Sequence, residues 1–181
     1  MQPLVHLTRQ VEGGTLRFSV VRMIHGQMAE GRIQFLTHNT PDLLWRKELM
    51  DHPNKVVSMT DVAMASADPQ EAAQRFERYL GLAPVPCGSG WHFSLGRGSL
   101  TILSADAFQA VLPGVDIPDM PFIGAYSLRS ENLSATKAVL NGNGIQTQEI
   151  ASDTLRVDPL PALGSTMIFT QDDAKAPWME D

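Results

Sequence analysis

Gly98-Ser99-Leu100-Thr101-Ile102-Leu103 and Gly164-Ser165-Thr166-Met167-Ile168-Phe169 end two stretches of this chain in the same way, and that repetition decides the fold. Each stretch, Val57 to Leu103 and Ile123 to Phe169, reads as a strand, a helix, then further strands. Helix-ending glycines fall in corresponding places, Tyr79-Leu80-Gly81-Leu82 in the first and Asn141-Gly142-Asn143-Gly144-Ile145 in the second. A unit of this kind leaves one sheet face bare on its own. Two copies must therefore cover each other or enclose a cavity.

Within the first copy, Val57 to Ser66 reads as the opening strand. Asp68-Pro69-Gln70-Glu71 then starts a helix, with Asp68 as N-cap, Pro69 in the first turn and Glu71 completing a capping box. Ala72, Ala73, Phe76, Tyr79 and Leu80 form one apolar stripe on it. Trp91 to Leu95 and Leu100 to Leu103 supply strands around Gly96-Arg97-Gly98, and Gly88-Ser89-Gly90 reads as a hairpin turn. In the second copy the strand at Ile123 leads to a weaker helix from about Asn132 to Leu140.

Working outward, Leu16, Phe18 and Val20 alternate with polar residues, and so do the residues from Arg32 to His38, giving an antiparallel hairpin. His38-Asn39-Thr40-Pro41 then enters a short helix running toward Met50, with Asn39 or Thr40 as cap and Pro41 at its first position. The expected divisions are a partial module over 1–55, a first repeat over 56–106, a linker over 107–121, a second repeat over 122–171 and a poorly ordered polar tail over 172–181. Hairpins between strands favour an α+β fold, tandem βαβββ-type modules forming a curved mixed or antiparallel sheet with helices outside, over an alternating parallel sheet.

Composition narrows the function. The 181 residues, 43% hydrophobic and 19% charged, suffice for a real core. Fourteen Lys plus Arg against 20 Asp plus Glu give a net charge of −6, which argues against a nucleic-acid partner. The single cysteine, Cys87, fits a reducing compartment. No apolar run approaches the roughly 20 residues a membrane span needs. A cytoplasmic protein is the expectation.

The Asp-Pro helix start, the Tyr-Leu-Gly-Leu helix end and the strand after Gly-Ser, together with His38-Asn39-Thr40-Pro41-Asp42-Leu43-Leu44-Trp45 and His52-Pro53-Asn54, resemble the vicinal oxygen chelate superfamily. Within it the chain is similar to glyoxalase-like domain proteins, over about Leu16 to Ile168. The resemblance implies a metal site built from a first-strand His and a last-strand Glu. Here Thr60, with Asp61 alongside, holds the first position, and Ile168, or Ile102 in the other copy, falls near the second. It also implies a further module in front, of which Leu16 to Thr37 would be only the last two strands. The chain is then a truncated form of a longer protein, a shortened relative, or one that completes its sheet with a second copy, and a homodimer is the expected partner.

His38 and His52 are the candidate catalytic residues, since a histidine near neutral pKa serves as ligand, acid or base. Trp45, Asn54, Thr60 and His92 are the candidate substrate-binding residues. Turn chemistry alone also explains His38, His52 and Asn54, and an exposed histidine on a half-buried strand explains His92. Asp61 and Glu149 complete the ligand-type set, but no spacing gathers three of them, so a divalent cofactor stays open. The resemblance allows a metal-dependent lyase, isomerase or dioxygenase acting on a small oxygenated molecule. It equally allows a metal-free module that holds a small-molecule ligand, or an interaction subunit.

Overall fold

The structure, a computed structural model, describes residues 1–88 and 90–179, so Ser89 of the expected Gly88-Ser89-Gly90 turn lies outside the described residues. The chain divides into two compact units, Met1–Asp51 and His52–Asp181. Among the described residues, the strands form one sheet of three strands and one of eight.

The first unit is an antiparallel meander of β1 (Val5–Val11), β2 (Gly14–Arg22) and β3 (Gln34–His38), followed by α1 (Pro41–Leu44) and a 3-10 turn at Lys47–Leu49. It has one more strand than the sequence reading gave it. Glu12-Gly13 joins Val11 to Gly14 in a two-residue hairpin whose positive φ at Gly13 suits glycine. Leu16, Val20 and Met28 are its buried residues, while β1 is exposed up to Val11. Thr40 does precede α1, with Pro41 at the helix start, but its hydroxyl accepts from the Arg17 amide and caps nothing. Asn39 donates to Ser19 Oγ instead. The helix stops at Leu44, well short of Met50.

The second unit contains both repeats. The first comprises β4 (Val56–Ala65), α2 (Pro69–Leu80), β5 (Val85–Cys87), β6 (Gly90–Ser94) and β7 (Ser99–Leu103). The second comprises β8 (Phe122–Ser130), α4 (Leu133–Gly142), β9 (Gln148–Ala151), β10 (Thr154–Val157) and β11 (Thr166–Gln171). The sheet order is β5-β6-β7-β4-β8-β11-β10-β9. In each repeat the first strand pairs parallel with the last, β4 with β7 and β8 with β11. The two first strands then pair antiparallel at the centre. Sequence repetition has become a spatial two-fold within one sheet.

Both helix starts follow from short polar side chains. Asp68 Oδ1 accepts from the Glu71 amide at 3.0 Å and Asn132 Oδ1 from the Ala135 amide at 2.9 Å, each satisfying a donor the helix leaves open. Gly81, at φ +69°, closes α2.

Alternation splits the sheet residues between two faces. On one face α4 packs Leu133 against Leu155, Val157 and Phe169, and α2 brings Phe76 to Phe93. The opposite face carries Ala63, Ala65, Ala125 and Ile168, covered by Phe108, Leu112, Val115 and Trp178. Two expectations are corrected here. The stretch read as linker holds a helix, α3 (Ala105–Val111), capped by Ser104. The stretch read as a poorly ordered tail carries a 3-10 turn, Pro177–Met179, whose Trp178 is 2% exposed. Gly124 makes room for this cover, because a Cβ there would collide with the Phe108 and Phe122 rings.

Candidate functional site

The polar centre of the large sheet is Asp61, 1% exposed on β4. The Ser99 hydroxyl donates to its Oδ2 and the Trp178 indole N–H to its Oδ1. The Thr101 hydroxyl donates to Oδ1 at 3.4 Å. Burial pushes the Asp61 carboxyl above its ordinary value, and these donors, with nearby His92, pull in the other direction. Thr101 Oγ1 also lies 3.0 Å from His92 Nδ1, and His92 Nε2 lies 3.5 Å from Ser94 Oγ. With the Thr101 proton directed to Asp61, the Thr101 oxygen is left to accept from His92 Nδ1–H. A hydrogen-bonded chain thus runs from the buried carboxylate to a half-buried imidazole.

Farther along the same face, β10 alternates Leu155 and Val157 into the α4 cluster and turns Arg156 the other way. Arg156 is 7% exposed. Its Nε donates to Asp158 Oδ1 at 2.9 Å, and its Nη2 to the Pro113 carbonyl at 3.0 Å. Gln148 Nε2 holds the other Asp158 oxygen at 2.7 Å. These side chains floor a groove of about 1020 Å³, walled by Phe122, Leu160 and Leu163. Leu163 is 99% exposed, with φ +58°. Such a volume is within the range of small-molecule sites.

The sequence-nominated residues divide between the two units. His38 ends β3, with its ring edge-on to Phe18 at 5.4 Å and to Trp45 at 5.7 Å, and its buried Nδ1 has no hydrogen-bond partner among the described residues. Trp45 is otherwise half exposed. In the second unit His52 sits exposed in a turn, its carbonyl accepting from the Lys55 amide. Asn54 supports the same turn: its side chain accepts from the Val56 amide and its carbonyl from the Thr136 hydroxyl. Thr60 bonds Ser127 Oγ across the central strand pair at 2.6 Å. Of the six, His92 alone brings its side chain to the Asp61 centre, while Thr60 meets it through its carbonyl, which accepts from the Ser99 hydroxyl at 3.3 Å. Arg156, Asp158 and the groove walls escaped the sequence reading. The available signal was a cation between two core-facing aliphatics, Leu155-Arg156-Val157.

The metal that the resemblance implies does not fit these residues. Ile168 lies buried in the cluster under Trp178, and Ile102, one residue out of phase with Thr101, faces the α2 side. Asp61 is already engaged by three donors. Among the described residues no three His, Cys, Asp or Glu side chains converge.

A family model for the glyoxalase-like domain matches residues 5–80. The solved structure of methylmalonyl-CoA epimerase from Mycobacterium tuberculosis superposes with a TM-score of 0.50 at 16% identity, covering 69% of this chain and 94% of that one. A hypothetical protein from Staphylococcus aureus superposes with a TM-score of 0.58 at 9% identity, covering 93% of this chain and 55% of that one. At these identities the likeness is one of fold. No curated protein matches the sequence.

Proposed function

We propose that this chain, which carries a glyoxalase-like domain of the vicinal oxygen chelate superfamily, binds a small organic molecule in the Arg156 groove without help from a metal. The observation that carries the reading is the groove itself, an apolar-walled cleft with a few fixed polar groups at its floor. Arg156 and Asp158 compensate each other, while Asp116 adds a further acid to the lining, so a strongly anionic ligand is disfavoured. A mainly apolar molecule with hydrogen-bonding groups suits Phe122, Leu160 and Leu163. The metal-dependent lyase, isomerase or dioxygenase reading lacks a converging ligand set among the described residues.

Thermal-shift screening of neutral aromatic and aliphatic compounds tests this, because a ligand at 100 times its Kd stabilises by about 2.7 kcal/mol. A hit should lose most of its shift in Leu163→Asp, a change at an exposed position that leaves folding intact. A shift preserved in that variant, or a silent library, removes the proposal.

The homodimer belongs to the same reading. β3 hydrogen-bonds a strand on one side only among the described residues, and Gln34–His38 contains no Lys, Asp, Glu or Pro to repel a second copy. Light scattering at micromolar protein should report twice the chain mass; a monomer excludes it. No helix among the described residues is long and apolar enough to cross a membrane.

A further inference from the structure

We infer that the ligand of the Arg156 groove is an amine, one ammonium group on an apolar body, and that Asp116 is the residue that selects it. The inference rests on the groove reading above and adds the charge of the ligand.

The charges in the lining are the first reason. Arg156 is already engaged, through Nε on Asp158 Oδ1 and through Nη2 on the Pro113 carbonyl. Asp158 is engaged at both oxygens, Oδ1 by Arg156 and Oδ2 by Gln148 Nε2. These two charges cancel and brace the floor. Among the described residues no hydrogen bond or ion pair engages the Asp116 side chain, which also lines the groove. The groove therefore carries one uncompensated charge, and it is negative. A cleft with apolar walls focuses such a charge, and the net −6 of the chain draws cations toward it as well.

How Asp116 is held is the second. Its neighbours Val115, 2% exposed, and Ile117 both pack into the apolar cluster of Phe108 and Leu112. The Val115 amide also donates to the Leu112 carbonyl at 3.4 Å. With both neighbours anchored, the backbone at Asp116 is fixed before any ligand arrives. Little order is then lost when a ligand pairs with the side chain.

The walls give the rest of the ligand. Phe122 is steadied by an edge-on contact with Phe108 at 6.1 Å, and an aromatic ring favours a nearby cation over a neutral group. Leu160 and Leu163 are 92% and 99% exposed, in a loop closed by the Gly164 amide on the Pro159 carbonyl at 2.7 Å. Leu163 holds φ +58°, a conformation leucine rarely adopts, and strain of this kind gathers at ligand clamps. An apolar body laid on the two leucines removes their surface from water. An arylalkyl amine meets all of these features at once.

The full chain, titrated near neutral pH with 2-phenylethylamine, 2-phenylethanol and phenylacetate, separates charge from shape, because the three differ in their head groups. At low salt the amine should bind about fivefold more tightly than the alcohol, and phenylacetate should bind least. That advantage should shrink as salt rises, and Asp116→Asn should abolish it. Equal wild-type affinity for amine and alcohol overturns the inference and leaves the groove reading standing. So does an advantage that survives Asp116→Asn. Absence of binding by all three removes the groove reading, and the inference with it. Should the variant fail to fold, the wild-type ratio and its salt dependence decide.

Discussion

At the scale of single residues, Asp61 gives the sharpest test. Its carboxyl is raised above the ordinary value of 3.8, chiefly by burial. The folded state therefore holds this proton at pH values where the unfolded chain has released it. Stability from this group is greatest below the unfolded value and falls as pH rises through the raised one. Asp61→Asn keeps an acceptor for the Trp178 N–H and removes the titration. The stability of wild type minus that of the variant, from urea unfolding across pH, should decline from about pH 4 upward. A flat difference would show that burial is fully offset by the three donors. The sequence marked Asp61 only as a scattered ligand-type residue. Its Trp178 partner lies 117 positions away, and no local pattern encodes a contact of that separation.

At the scale of elements, capping decides where helices start. The Asp68 side chain satisfies an open amide of α2, as Asn132 does for α4. Asp68→Ala and Asn132→Ala should each lower stability by about 1 kcal/mol by denaturant unfolding, with m unchanged. A loss near zero would mean water replaces the cap without cost. The α2 boundaries were legible because Asp68-Pro69 and Gly81 state them locally, in backbone terms. α3 carried comparable signs, Ser104 before Ala105 with Phe108, Val111 and Leu112 at helical spacing. Pro113, Gly114 and Pro118 drew the reading toward linker and hid them. β1 was missed for another reason: its alternation, Val5, Leu7 and then Arg9, buries almost nothing. The 3-10 turn at Trp178 has too few residues to show any period. Its burial comes from the partner face alone.

At the scale of the molecule, the repeat was readable because each βαβββ unit needs a partner across the central strand pair, and that need shapes both sequences alike. The groove was not readable. Its walls come from the loop after α3 and from the 159–165 loop, which share no motif. The same division predicts how the chain folds in pieces. Residues 52–181 hold all eight strands of the large sheet and apolar clusters on both of its faces. Residues 1–51 hold three strands, with Leu16, Val20 and Met28 as their buried apolar residues. With three buried apolar residues, this meander has too thin a core to offset its chain entropy. Expressed alone, 52–181 should give a cooperative thermal transition and dispersed amide signals, and 1–51 should give neither. A 52–181 fragment that melts without cooperativity would place essential core contributions in the first fifty-one residues, and would break the assignment of the repeat as a self-sufficient sheet.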